Sequence, residues 1–186
     1  MDQLTARLLD IYGTKATRRY GLSKVSQLQH ALQGAAMAEA ACESDAMVVA
    51  ALLHDIGHMV HGLGEDPALA GIDDRHEALS AAWLAEYFGP QVTEPVRLHV
   101  QAKRYLCASD RDYLSLLSDD SVRSLHLQGG PMNEAEARAF CQQDAADQAV
   151  RLRLYDDRAK DPQAATPPFE HFLAAIERAR LHSAVR

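Results

Sequence analysis

Cysteine is scarce: 186 residues carry three, and Cys42, Cys107 and Cys141 form no CxxC pair. An odd number of widely spaced thiols supports neither a disulfide framework nor a cysteine-ligated zinc site. All three are expected to be reduced and packed as small apolar side chains. No run of about 18 apolar residues exists, which leaves no candidate for a membrane-spanning helix. The opening MDQLTARLLDIYG has neither the basic end nor the apolar stretch of a signal peptide, so a cytoplasmic protein is expected. Long Lys/Arg blocks are missing as well. With 19 Lys and Arg against 26 Asp and Glu, the net charge of −7 argues against nucleic acid as a partner. Strand-like alternation, tandem repeats and an interdomain linker are also absent. Apolar residues recur at three- and four-residue spacing, so the expectation is one all-α domain over residues 1–186. Nothing in the sequence marks an oligomeric state.

The periodicity predicts helices over about Asp2–Tyr12, from Ser23 or Ser26 through Ala40, over Asp45–His58, and over Asp74–Phe88 ending at Gly89-Pro90. Shorter ones follow at Thr93–Val100, Asp110–Leu117 and Ser118–Leu125. Beyond the Gly129-Gly130-Pro131 break, Asn133 with Glu136 reads as a capping box, and helices are predicted over Asp144–Asp156 and Pro168–His182. The third helix is apolar through MVVAALL and reads as a buried central element. Trp83, Leu84, Tyr87 and Phe88 read as a core stripe, and Asp74 as an N-cap or a partner of His76.

What is plentiful is histidine: nine in all, six of them between His30 and His99. HDIGH at His54–His58 places two imidazoles one helical turn apart, beside an aspartate that follows an apolar run. A charged Asp55 is costly to bury there without a metal or a partner. His30 lies mid-helix among Leu and Ala, His76 in a first helical turn, His99 toward the end of another helix, and Asp156 at the end of LRLYDD. Each imidazole alone also reads as a hydrogen-bonded core residue. Together the six are nitrogen and oxygen donors from five helices, enough for two ions with one bridging carboxylate. The lack of thiolates favours octahedral Fe or Mn over structural zinc.

The order H…HD…D, through His30, His54-Asp55 and Asp156, resembles the HD-domain superfamily of metal-dependent phosphohydrolases. The two further histidines match its dinuclear branch, which includes phosphodiesterases and mixed-valent di-iron oxygenases. More narrowly, SQLQHALQGAAMAE, ALLHDIGH, GIDDRHE, EPVRLHVQAKRYLC, LQGGPM and LRLYDDRAK resemble the organophosphonate-cleaving oxygenases, over roughly residues 20–170. The resemblance implies a helical bundle with a metal centre in its core. It implies an Fe(II)/Fe(III) pair held by His30, His54, Asp55, His76, His99 and Asp156, with Asp55 bridging, and dioxygen as co-substrate. His58 and Lys103 match positions that contact the phosphonate and take part in catalysis. Lys103 follows His99 by one helical turn, so it can aim a cation at a metal-held anion. Ser121 and Ser124 are candidate phosphonate donors, Gln128 a weaker one, and Tyr20 matches a tyrosine that occupies the iron site when substrate is absent.

The implied reaction is oxygenative C–P cleavage of a 1-hydroxy-2-aminoethylphosphonate. In the primary-amine enzymes a glutamate follows that tyrosine by three residues; here Ser23 stands in its place. A quaternary ammonium needs no directional acceptor and is served by aromatic faces such as Tyr20, Tyr105 and Tyr155. The expected substrate is therefore (R)-1-hydroxy-2-(trimethylammonio)ethylphosphonate, giving glycine betaine and phosphate. The alternatives are the primary amine, giving glycine, and an HD-type phosphohydrolase acting on a nucleotide or phosphate ester.

Overall fold

The apolar run MVVAALL becomes the centre of the molecule, because a helix apolar on every side is stable only when surrounded. The computed structural model describes residues 2–16, 24–60 and 71–181. Tyr20, Ser23, His61, Glu65, Asp66 and His182 lie outside them. The elements are α1 (Gln3–Asp10), a π-helical turn (Ile11–Lys15), α2 (Gln27–Ala40), α3 (Asp45–Leu53), α4 (Gly57–Val60), α5 (His76–Leu84), α6 (Pro90–Ser109), α7 (Tyr113–Leu116), α8 (Asp119–Leu127), α9 (Glu134–Cys141) and α10 (Ala146–Arg158). A 3₁₀ turn (Phe169–Phe172) leads into α11 (Leu173–Ala179). No strand occurs among the described residues, so the chain is all-α as expected.

Helix α3 packs against α2, α6, α10 and α11, and its residues Met47 through Leu53 are all buried. Around it the main core gathers Leu4, Leu8, Leu84, Phe88, Phe172 and Ile176. A smaller core of Leu98, Ala102, Met132, Phe140 and Ala149 joins α6 to α9 and α10. Gly34 lets α2 lie close on α3: a Cβ there would sit 3.3 Å from the Ala51 carbonyl oxygen.

The start signals were legible and several stops were not. Ser26 caps α2 in a full capping box with Gln29, and Asn133 does the same with Glu136 for α9. Gly89-Pro90, expected only to end a helix, instead starts one: Gly89 is the N-cap and Pro90 the first residue of α6, where a missing N–H costs nothing. Helix α6 then runs 20 residues, about 30 Å, through Pro95 to Ser109, absorbing the predicted Thr93–Val100 piece. Pro95 lies inside this helix, where it forgoes the hydrogen bond to the Gln91 carbonyl, and its ring is buried. The predicted Asp110–Leu117 helix shrinks to α7. The cysteines differ from expectation too. Cys42 and Cys141 are exposed and Cys107 is half-buried, so none fills a core position; all three are free thiols. Leu84 and Phe88 are buried as expected, while Trp83 and Tyr87 are only partly so, with the Arg7 guanidinium over both rings. No described helix is long and apolar enough to cross a membrane.

Helix α2 carries His30, so its cap bears on the site. Replacing Ser26 by Ala removes the acceptor for the Gln29 N–H and is expected to cost about 1 kcal/mol. In thermal unfolding followed by circular dichroism this should lower Tm by about 2–4 °C.

Candidate metal centre

Five elements converge on one buried cluster. His30 comes from α2, His54 and Asp55 from the end of α3, His76 from the start of α5, His99 from α6 and Asp156 from α10; all six are less than a tenth exposed. Adjacent residues on a regular helix diverge by about 100°, yet His54 and Asp55 reach the same site. The helix stops at Leu53, and the bonds Ile56 N–H to Leu53 carbonyl, His58 N–H to Asp55 carbonyl and Met59 N–H to Ile56 carbonyl tighten the chain into three-residue turns. The predicted continuous helix to His58 is broken at this point. Gly57 makes room for the next element. A Cβ there would lie 2.3 Å from the His76 carbonyl oxygen, and the Gly57 N–H donates to Ser80 Oγ at 2.8 Å.

Each imidazole is held through Nδ1. His30 bonds the Ala159 carbonyl at 2.8 Å, His54 the Ala51 carbonyl at 2.9 Å, His99 the Val96 carbonyl at 2.7 Å, and His76 the Asp74 carboxylate at 3.0 Å. A carbonyl or ionised carboxylate can only accept, so Nδ1 carries a proton in all four, and each ring in its neutral form turns a lone pair inward at Nε2. Those lone pairs face one another: His30 Nε2 lies 3.3 Å from His54 Nε2, and His76 Nε2 lies 3.2 Å from His99 Nε2. Asp55 sits between the pairs. Its Oδ1 is 3.4 Å from His54 Nε2, 3.7 Å from His76 Nε2 and 3.8 Å from His99 Nε2, and its Oδ2 is 3.6 Å from His30 Nε2. Asp156 gives Oδ2 to Arg153 at 2.6 Å and directs Oδ1 to His30 Nε2 at 3.3 Å. Asp55 Oδ2 and Asp156 Oδ1 are buried without a hydrogen bond in the described structure. Facing lone pairs beside two such oxygens repel one another unless a cation lies among them, so the donor set fits metal ions. Two groups form, His30/His54/Asp156 and Asp55/His76/His99.

Electrostatics agree. Burial pushes the carboxyls of Asp55 and Asp156 up, but surrounding charge holds both well below the usual range: imidazoles around Asp55, and chiefly Arg153, Lys160 and His30 around Asp156. Burial, together with neighbouring imidazoles, pushes His99 and His54 down. His76 goes the other way despite its burial, raised to about 9 by the Asp74 hydrogen bond and by Asp55. Of the two roles open to Asp74, the structure gives the one at the site. Its Oδ1 accepts from His76 Nδ1 while its Oδ2 meets His58 Nδ1 at 2.6 Å, and the His58 and His76 rings stack at 4.0 Å.

A second cluster adjoins Asp156. Lys103 is 2% exposed and donates from Nζ to Ser124 Oγ at 2.8 Å. Ser121 Oγ receives Arg153 Nη2 and Lys160 Nζ, each at 3.4 Å. Ser121, Ser124 and Gln128 follow i, i+3, i+7 along α8, so the predicted donors share one face. Gln128 Oε1 is buried without a hydrogen bond. The glycines of LQGG have left-handed backbone, φ +98° and +71°, and this turn lets Gly130 accept from Arg104 Nε at 2.8 Å. Arg153 and Lys160 were missed as site residues. Their signal lay in LRLYDDRAK, where Arg153, Asp156 and Lys160 stand at i, i+3, i+7. Tyr105 packs on Phe140, and Tyr155 donates to Glu43 at 3.1 Å, so both are engaged elsewhere. His126 and His171 are exposed, as expected of bystanders.

With this geometry the comparisons agree: the HD-domain family model matches residues 28–147. The chain belongs to the HD-domain family. Among its relatives is a hydroxymethylphosphonate dioxygenase of Gimesia maris, 42% identical over 160 residues that cover 86% of this chain and 80% of the relative. Another is a [1-hydroxy-2-(trimethylamino)ethyl]phosphonate dioxygenase, glycine-betaine-forming, of Leisingera caerulea, 36% identical over 168 residues covering 90% and 86%. The branch is therefore that of the phosphonate dioxygenases, and this HD-domain protein is an enzyme of the dioxygenase class with a metal centre.

Gly57→Ala should displace His76 and lower metal content per chain, read by elemental analysis, with the fold retained in far-UV circular dichroism. Lys103 supplies a pH test. Burial and the nearby Arg153 push its ammonium down to about 7 from 10.5. Between those values the unfolded chain binds the extra proton, so Lys103 costs stability that is fully present below pH 7 and is relieved as pH rises toward 10.5. Lys103→Met should thus raise Tm of the metal-free protein, and by more at pH 6 than at pH 9.

Proposed function

We propose that this enzyme cleaves the C–P bond of a 1-hydroxyphosphonate with dioxygen, releasing phosphate and a carboxylate. Supporting this is one juxtaposition: six metal-type donors with inward-facing Nε2 and carboxylate oxygens, bordered at Asp156 by the buried Lys103 and Arg153 and the half-buried Lys160. In this reading His30, His54, Asp55, His76, His99 and Asp156 would hold two iron ions within a single HD domain. When bound, the iron pair supplies the activation of dioxygen and the redox change at C1. The chain does the rest. Lys103, Arg153 and Lys160 neutralise the phosphonate dianion, and the hydroxyls of Ser121 and Ser124 orient its oxygens. Asp74 keeps a proton on His58 Nδ1, so His58 turns Nε2 toward Asp55 Oδ1, 4.0 Å away, and toward substrate held there. Burial of the cluster keeps bulk water from the reacting carbon. The balance is closed by dioxygen alone: C1–P breaks, one added oxygen ends in the carboxylate and the other in phosphate.

Ser23 in place of a glutamate speaks against a primary ammonium on C2. The first reading of the substrate is accordingly (R)-1-hydroxy-2-(trimethylammonio)ethylphosphonate, yielding glycine betaine. A second reading, hydroxymethylphosphonate yielding formate, is favoured by one observation: Tyr105 and Tyr155, two of three candidate cage aromatics, are engaged with Phe140 and Glu43.

The test is a paired assay on iron-reconstituted enzyme, measuring phosphate together with betaine, glycine or formate, with and without O₂. Phosphate and one carboxylate should appear in equal amounts only when O₂ is present, and kcat/KM should rank the primary amine last. Equal phosphate release under strict anaerobiosis would replace the oxygenase by a phosphohydrolase.

A further inference from the structure

Gln33 is a polar side chain on the buried face of α2, one turn beyond His30 and 5% exposed. An uncompensated amide there is costly, so what it bonds matters. Its Oε1 accepts the Asp161 N–H at 3.0 Å, and its Nε2 donates to the Asp161 carbonyl at 2.8 Å, a closed pair between residues 128 apart in sequence. Two residues earlier, the Ala159 carbonyl accepts from His30 Nδ1 at 2.8 Å. The helix has ended by then: Arg158 is the last residue of α10, and Ala159 has ψ 46°. The chain on each side of Lys160 is thus tied to α2 through side chains. Between the two ties, Lys160 Nζ reaches Ser121 Oγ at 3.4 Å, with Asp157 Oδ1 at 3.8 Å and Asp156 Oδ1 at 3.9 Å.

We infer that Gln33 is a positioning residue for the anion site: by pairing with the Asp161 peptide groups it holds Lys160 against Ser121 and beside Asp156. Both hydrogen bonds given by the Gln33 amide go to the Asp161 peptide groups, so its action on the site runs through that segment. A leucine would fill similar volume without either bond and, of the two ties to α2 described above, would leave only that of His30. The inference rests on the anion-binding reading of the Lys103/Arg153/Lys160 cluster.

The test is a double-mutant cycle on iron-loaded protein, with inorganic phosphate as the probe in titration calorimetry. Gln33→Leu should weaken phosphate about 5-fold when Lys160 is present and less than about 2-fold in a Lys160→Ala background. Iron content should be unchanged, and hydrogen exchange at the Asp161 amide should quicken. Gln33→Glu keeps an acceptor for the Asp161 N–H but opposes its carbonyl with a carboxylate oxygen. It should act in the same direction and serves if the leucine variant fails to fold. An equal loss in both backgrounds, or none, overturns the inference. A wild type that binds no phosphate, and is indifferent to Lys160→Ala, overturns the anion reading and the inference with it. Faster exchange at Asp161 in Gln33→Leu would then show that only the functional link had failed.

Discussion

The constraint on which the structure turns is the burial of a carboxylate, Asp55, among imidazoles whose lone pairs all point inward. Such a set is repulsive by itself, and a bundle that assembles it must supply both rigidity and a compensating charge. Rigidity comes from the Nδ1 bonds: three histidines are fixed by main-chain carbonyls, one of them reaching across from α10's end, and the fourth by Asp74. Compensation comes from metal ions when they are bound; in their absence it falls to the proton that Asp74 and Asp55 favour on His76, since burial pushes His54 and His99 down. Metal binding and proton release are therefore linked at this centre. Around it, the all-apolar α3 and the close contacts at Gly34 and Gly57 allow five elements to meet within a few ångströms.

The cationic cluster next to Asp156 follows the same logic with the opposite sign. Arg153 spends its guanidinium on Asp156 and Asp157, and Lys160 also lies near both carboxylates. Lys103 has a serine hydroxyl as its hydrogen-bond partner, so its charge is the least compensated of the three. An acidic protein thus holds a locally cationic cluster; net charge bears on large partners and does not describe the field of a few placed groups. The metal centre and this cationic cluster are joined mechanically as well, because α10 carries Asp156 and Arg153 and leads into Lys160.

Much of this was legible along the chain. The all-α class followed from apolar spacing, the start of α2 from Ser23 or Ser26, and one capping box from Asn133–Glu136, while the Ser26–Gln29 box appeared only in the structure. His30 and His54-Asp55 stood out in apolar helices, while His76, His99 and Asp156 joined them through the family resemblance. Less legible was anything decided by how a helix ends. Gly89-Pro90 begins α6 instead of merely closing its predecessor, and the chain after Leu53 leaves regular helix, which is why neighbouring His54 and Asp55 serve one site. Proline and glycine mark a boundary without saying on which side the helix lies.

Residue type and spacing alone determined which side chains are costly to bury and hence which of them needed partners. They also set Ser121 and Ser124 one helical turn apart. Tertiary structure decided who the partners are. Asp74 turned out to hold two histidines, Arg153 to occupy one oxygen of Asp156, and Gln33 to grip a peptide group 128 positions away. The reason is physical: spacing fixes direction within one helix, while contacts between helices depend on packing that no local pattern encodes.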